Sequence, residues 1–252
     1  MNVRLEHLGH RYGAVEALRD VTAEARAGNI TAIVGPNASG KSTLIRGIIG
    51  AIRPQWGAAF IDNLPVASMS ARQLARRAAY VPQRSVVAAA FTVREVVELG
   101  RYALPRDVAR IEEALARLEL TDLAARPYPA LSVGQQQRVT MARALAQLPE
   151  RGLLVLDEPT AAMDLRHAER CMKLLREIAD AGGAVVVAMH DLSMAALWAD
   201  EAWLLDDGRL AASGPAEEVL APDRLEAVFG VGFERVGDSE GRFRLLASSP
   251  RA

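Results

Sequence analysis

The residues able to do chemistry fall into three short runs. The first, Gly35-Pro36-Asn37-Ala38-Ser39-Gly40-Lys41-Ser42, matches Gly-x4-Gly-Lys-Ser. Glycines let the backbone wrap closely around a phosphate with successive N–H groups turned inward. A helix opening behind such a loop adds the positive end of its dipole. The lysine can reach β- and γ-phosphates, and the hydroxyl after it can ligate Mg²⁺. The second run, Leu153-Leu154-Val155-Leu156-Asp157-Glu158, ends an apolar stretch in two carboxylates. At the carboxyl edge of an α/β sheet, where ligands bind, Asp157 would hold the Mg²⁺ shell and Glu158 would polarise an attacking water as general base. Taken alone, the pair reads as readily as a turn with solvated acids; the phosphate loop tips the balance toward chemistry. The third run is Leu131-Ser132-Val133-Gly134-Gln135. Ser132 and Gln135 have capping-box spacing, which starts a helix at Ser132 that runs to about Leu148 and leaves a positive N-terminus free for an anion.

These residues need rigid elements behind them. Ile30-Thr31-Ala32-Ile33-Val34, Leu153-Leu154-Val155-Leu156 and Ala184-Val185-Val186-Val187-Ala188 are short continuous apolar runs, the pattern of parallel strands buried on both faces. Helical patterns follow over residues 41–50 and 165–181, the latter with an apolar stripe of Leu165, Ala168, Met172, Leu175 and Ile178. Alternation of strand and helix argues for an α/β fold with a parallel sheet. Residues 84–131 differ, with helical patterns over 93–102 and 108–120 and no clear strand. Thr92 and Glu95 form a second capping-box spacing. The expected organisation is a single domain: residues 1–83 and 150–252 form the core, and residues 84–149 an inserted helical subdomain. Short strands of a separate sheet layer are expected before Gly28 and near residues 58–62. Strands near 202–205 and 209–213, a helix near 223–229 and a short tail complete the reading.

Composition narrows the class. The 252 residues are half apolar and 24% charged, with 30 basic residues against 31 acidic for a net charge of −1. That balance gives no support for a globally cationic nucleic-acid binder. A membrane span needs about 20 continuous apolar residues, whereas the longest charge-free run, residues 27–40, is broken by Gly28, Gly35 and Pro36. No transmembrane helix is expected. The opening Met1-Asn2-Val3-Arg4-Leu5-Glu6 lacks the apolar centre of a signal peptide. Cys171 is the single cysteine, so no intrachain disulfide forms and a reducing compartment is expected.

Together the runs resemble the ATP-binding subunit of an ABC transporter over nearly the whole chain. Leu131-Ser132-Val133-Gly134-Gln135 is similar to the family signature Leu-Ser-Gly-Gly-Gln, with Val133 in place of a glycine, and Ala38 stands where the phosphate loop usually has glycine. The resemblance implies further site residues. Tyr12 matches the aromatic that stacks on adenine. Gln83 matches the glutamine that senses Mg²⁺ and the attacking water. Asp164 matches the D-loop aspartate, and His190 the switch histidine at the γ-phosphate. Thr43 would join Gly35 through Ser42 around the nucleotide, and Ser42, Gln83 and Asp157 would surround Mg²⁺. The cofactors implied are ATP and Mg²⁺. Two copies would pair head to tail, with Ser132, Val133, Gly134 and Gln135 of one facing the ATP of the other. ATP binding the closed state better than the open one would shift the population.

Phe91-Thr92-Val93-Arg94-Glu95-Val96-Val97-Glu98-Leu99-Gly100-Arg101 is similar to importer ATPases of the iron-chelate and cobalamin group, as are the runs Pro36-Asn37-Ala38-Ser39-Gly40, His190-Asp191-Leu192 and Leu204-Leu205-Asp206-Asp207-Gly208-Arg209. The resemblance implies a peripheral subunit on the cytoplasmic face of a bacterial inner membrane. A multi-span permease would dock near residues 83–101, with Val86, Val87 and Phe91 as apolar contacts, and a substrate-binding protein would act indirectly. The cargo class is haem, a ferric siderophore, cobalamin or a metal oxyanion. Two other classes are weighed against it: a soluble ABC ATPase acting on nucleic acid or ribosomes, and a P-loop kinase or GTPase. The first usually carries a coiled-coil insertion or a second nucleotide domain, and the second lacks the signature helix, Gln83 and His190.

Overall fold

The computed structural model describes residues 1–83, 87, 91–237 and 243–248. The chain opens with an antiparallel pair, β1 (Val3–Tyr12) and β2 (Val15–Ala25). Next come β3 (Ile30–Val34), α1 (Lys41–Ile48), β4 (Trp56–Ile61), β5 (Leu64–Pro65), α2 (Ala71–Ala75) and β6 (Ala78–Val81). Three helices follow, α3 (Val93–Glu98), α4 (Val108–Arg117) and α5 (Val133–Gln147). The chain then alternates again through β7 (Leu153–Asp157), α6 (Leu165–Asp180), β8 (Ala184–Ala188) and α7 (Leu192–Trp198). It ends with β9 (Glu201–Asp206), β10 (Arg209–Pro215), α8 (Ala216–Val219), α9 (Pro222–Phe229) and the hairpin β11 (Gly232–Gly237) and β12 (Phe243–Ser248).

Two sheets carry the fold. The larger has the order β10-β9-β3-β8-β7-β6, parallel from β9 through β6, with β10 antiparallel at one edge. The smaller is antiparallel, β2-β1-β4-β5. The three apolar runs are the central strands, and every residue in them is buried. Strand alternation divides each run between two cores. Leu154, Leu156, Val185 and Val187 face α5 and α6, whereas Leu153, Val155 and Val186 face Leu44, Ile45 and Ile48 of α1. The far side of α1 meets Val3, Leu5, Leu8 and Ile61 of the smaller sheet. The phosphate-loop helix is thus held between two sheets.

Several expectations are corrected. The first two strands are not short: they run 10 and 11 residues and stay paired through register shifts between Leu5 and Arg11. The C-terminal tail contains the paired hairpin β11–β12, tied to α7 by the Ser193 hydroxyl donating to the Leu245 carbonyl at 2.5 Å. The pattern over 93–102 becomes α3 followed by a 3₁₀ turn at Leu99–Arg101. There α5 crosses closely, since a Cβ on Gly100 would stand 2.2 Å from the Arg143 carbonyl. Helix α4 stops at Arg117 because Glu119 turns left-handed (φ 54°). Both expected capping boxes form, at Thr92–Glu95 and Ser132–Gln135. No helix among the described residues is long and apolar enough to cross a membrane.

Candidate functional site

Sheet order assembles the site. Ligand sites in parallel α/β sheets lie at the carboxyl ends of strands, and β3, β8, β7 and β6 are neighbours in that order. Their carboxyl ends lead to Gly35, His190, Asp157-Glu158 and Gln83 respectively. Residues far apart in sequence therefore stand in a row. Gln83, Glu158 and His190 border an open cleft of ≈ 660 Å³ whose wall also contains Asn37, Ala38, Ser39, Gly40, Lys41, Ser42 and Thr43.

The loop between β3 and α1 has the shape of an anion cradle. Gly35 (φ 151°) and Gly40 (φ 106°) adopt conformations that L side chains rarely take, and a Cβ there would fall 2.2 Å from the Leu205 carbonyl and 2.5 Å from the Ala17 carbonyl. Ala38 takes φ 63°, a left-handed conformation that costs an L residue about 1–2 kcal/mol. The Ser39 hydroxyl is buried without a partner among the described residues, a cost that a phosphate oxygen would relieve. Lys41 is 5% exposed, and its Nζ donates to the Gly35 and Pro36 carbonyls, each at 2.8 Å. Burial pushes its pKa down, and the charges of Glu158 and Asp157 oppose that shift. Gly40→Ala is expected to destabilise the fold by about 2 kcal/mol, roughly 4–8 °C in Tm. A thermal melt unchanged from the parent would refute that packing argument.

The carboxylates differ in setting. Asp157 is 5% exposed and accepts from the Ser42 hydroxyl at 3.4 Å. Burial pushes its pKa up, while Ser42, Arg46 and Lys41 pull it down. Glu158 takes a left-handed backbone (φ 51°), a strain that the surrounding structure must hold in place. That turn sets its carboxylate between two partners, the Gln83 Nε2 amide donating to Oε2 at 2.6 Å and the His190 ring nitrogen Nε2 at Oε1. The pair Ser42 and Asp157 offers hydroxyl and carboxylate oxygens, the hard donors that suit Mg²⁺, which binds through one or two carboxylates plus substrate phosphates. Among the described residues there is no cluster of three or more His, Cys, Asp or Glu that would hold a metal without such phosphates.

The remaining expected residues stand outside this cleft. Tyr12, at the end of β1, is 44% exposed and meets His10 edge-on, beside the Ala14–Ala17 stretch of the cleft wall. Ser132, Val133, Gly134 and Gln135 open α5, with Val133 70% exposed. Asp164 caps α6 by accepting from the His167 N–H at 2.9 Å. The two turns touch, since a Cβ on Gly134 would stand 2.8 Å from the Ala162 carbonyl. Val87 and Phe91 pack against the larger core, and Val86 lies outside the described residues. The sequence reading missed Arg19 and Asp207, which pair at 2.9 Å on the cleft wall. Arg19 lies in no motif, and Asp207 lies in the run from Leu204 to Arg209 with no role assigned to it; the two meet where the Arg19 N–H and the Gly208 carbonyl bond at 2.7 Å.

Comparison with known proteins agrees with this architecture. The family described as ABC transporter matches residues 18–161. The hemin import ATP-binding protein HmuV of Streptomyces coelicolor is 45% identical over 229 residues, covering 88% of this chain and 80% of that protein. The cobalamin import ATP-binding protein BtuD of Halobacterium salinarum is 42% identical over 219 residues, covering 84% of this chain and 54% of that protein. Among solved structures, an ATP-binding subunit of an ABC transporter superposes with a TM-score of 0.80 at 26% identity, covering 91% of this chain and 94% of that one. The dimeric bacterial ABC transporter cassette MJ0796 superposes with a TM-score of 0.78 at 29% identity, covering 85% and 98%. The fold and site define a P-loop nucleotide-binding protein. The chain belongs to the ABC transporter family, among its ATP-binding, ATP-hydrolysing subunits.

Proposed function

We propose that this chain powers import of haem or a related iron chelate, with cobalamin as the second candidate cargo. The row of Gly35, His190, Glu158 and Gln83 along adjacent strand ends is the observation that carries the catalytic part. The names of its relatives support the cargo. In this reading Tyr12 stacks on adenine, Gly35 through Thr43 hold the phosphates, and Lys41 turns from its own loop carbonyls to the β- and γ-phosphates. Ser42, Asp157 and Gln83 would hold Mg²⁺, which neutralises phosphate charge. Glu158 takes a proton from the attacking water, and Gln83 and His190 orient its carboxylate.

Ser132, Val133, Gly134, Gln135 and Asp164 lie outside their own cleft, which favours a head-to-tail pair in which they meet the nucleotide of a second copy. Residues 84–149 act as a helical subdomain inserted in the core. A multi-span permease docks near Gln83 to Arg101, where Leu99 and Arg143 line a groove of ≈ 510 Å³ with Met69, Leu74 and Tyr80. The exposed ring of Tyr102 (91%) stands just beyond Arg101. The subunit sits at the cytoplasmic face of the membrane, and a substrate-binding protein delivers cargo to the permease. The test is reconstitution with its permease and binding protein, in vesicles supplied with ATP. Uptake of haem above cobalamin supports the reading, and ATP hydrolysis without uptake of either refutes the cargo assignment.

Val133→Gly is expected to keep ATP-driven pairing and turnover at or above the parent level, because the valine side chain makes little contact within its own chain. Loss of pairing by light scattering would show that Val133 makes a needed contact across the interface.

A further inference from the structure

Away from the cleft, one carboxylate gathers three guanidiniums and an imidazole from two different helices. Glu119 follows the C-cap of α4. Its oxygens face Arg170, Arg166 at 3.5 Å, His167 Nε2 at 3.6 Å and Arg138 at 4.0 Å. Arg138 comes from α5, the helix that Ser132 opens; the other three come from α6, the helix that Asp164 caps. Arg138 also donates to the Leu118 carbonyl at 2.9 Å and the Glu119 carbonyl at 3.4 Å, so it grips the end of α4 by backbone as well as side chain. His167 continues the chain of contacts, with Nδ1 2.8 Å from the Asp164 carboxylate while Nε2 faces Glu119. The gap among these groups is ≈ 20 Å³, room for about one water. An isolated surface ion pair contributes little, but a network in which one anion separates three guanidiniums is different. Without Glu119, Arg138, Arg166 and Arg170 would lose the carboxylate they share.

The contacts join two turns that do no work in their own cleft. Gly134 already touches the Ala162 carbonyl, and the path Asp164–His167–Glu119–Arg138 ties the same two turns from behind. We propose that Glu119 is a positioning residue that locks the start of α5 and the Asp164 turn into one block. Ser132, Gly134 and Asp164 then meet the nucleotide of a second copy in a fixed relative geometry. This inference rests on the head-to-tail pairing proposed above. Glu119 touches neither nucleotide, so its removal acts on pairing and turnover, not on binding to a single copy.

The test uses Glu119→Gln, which keeps the shape and removes the charge. Binding of the fluorescent nucleotide TNP-ATP to single copies is expected within twofold of the parent. ATP-driven pairing, measured by light scattering in a Glu158→Gln background, is expected to weaken about tenfold, and kcat to fall by a similar factor with little change in KM. Adding Asp164→Asn is expected to cost little more than either change alone, because both act through one path. Glu119→Asp, which keeps the charge, is expected to recover most of the pairing. If Glu119→Gln does not fold, the double variant Arg166→Gln/Arg170→Gln, which leaves Glu119 in place, is expected to reproduce the loss. Pairing within twofold of the parent in the folded charge variant, or strictly additive losses with Asp164→Asn, overturns this inference alone. Failure of Glu158→Gln itself to pair with ATP overturns the head-to-tail reading and this inference together.

Discussion

Glu158→Gln is expected to lower kcat by about 10²–10⁴-fold, the contribution typical of a positioned general base, while leaving ATP binding intact. The amide keeps the size of the carboxylate and can still occupy the position between Gln83 and His190. It can no longer accept a proton from water. The phosphate cradle is untouched, because Lys41 bonds to Gly35 and Pro36 and the Glu158 carboxylate makes no bond to the loop. With binding preserved and turnover removed, the ATP-bound pair accumulates, and light scattering should show a stable dimer with ATP and monomer without it. Hydrolysis at the parent rate would assign the base elsewhere. The left-handed backbone at Glu158 sharpens this expectation. Strain of this kind, about 1–3 kcal/mol, persists when the surroundings over-determine a geometry, and here it aims the carboxylate into the cleft. Glu158→Gly would relieve the strain and also lose the base, so a more stable but inactive chain is the companion result.

The parts of the fold legible in the sequence are those with a local cause. The central strands are continuous apolar runs because both of their faces are covered. The helix starts at Thr92 and Ser132 are set within four residues by their capping boxes. The cleft was legible because Gly35 through Ser42 is a contiguous motif whose backbone does the binding. What escaped has a non-local cause. The length of β1 and β2 depends on pairing that survives register shifts, which break the alternation begun at Val3-Arg4-Leu5-Glu6. The strand β6 is four residues long and is specified by its neighbour β7. The C-terminal hairpin is held by packing on α7 and α9, through Phe233, Phe243 and Leu245. Arg19–Asp207 and the Glu119 cluster join residues far apart in sequence with no shared motif. The catalytic row has a split character: each member stands in a readable motif, but their order along the cleft is written only in the order of the strands.

Lys41→Ala is expected to lower ATP affinity by about 100-fold, near 3 kcal/mol, while leaving the nucleotide-free fold almost unchanged. The affinity term follows from the loss of charge-assisted hydrogen bonds to phosphate, each contributing roughly 1.5–3 kcal/mol. The stability term is small for a different reason. Keeping a charged ammonium at 5% exposure costs desolvation free energy, visible in the downward push on its pKa, and its two bonds to loop carbonyls offset part of that cost. Removing the side chain removes the cost and the bonds together. Burial pushes the pKa of Lys41 down, and the charges of Glu158 and Asp157 oppose that push. An arginine would keep the charge but not the fit, because its planar fork is larger and binds in a different geometry; Lys41→Arg should therefore also bind ATP poorly. Titration with a fluorescent nucleotide, alongside thermal melts without nucleotide, separates the two effects. A large drop in the nucleotide-free Tm would make Lys41 a structural residue of the loop, and unchanged affinity would remove it from the phosphate site.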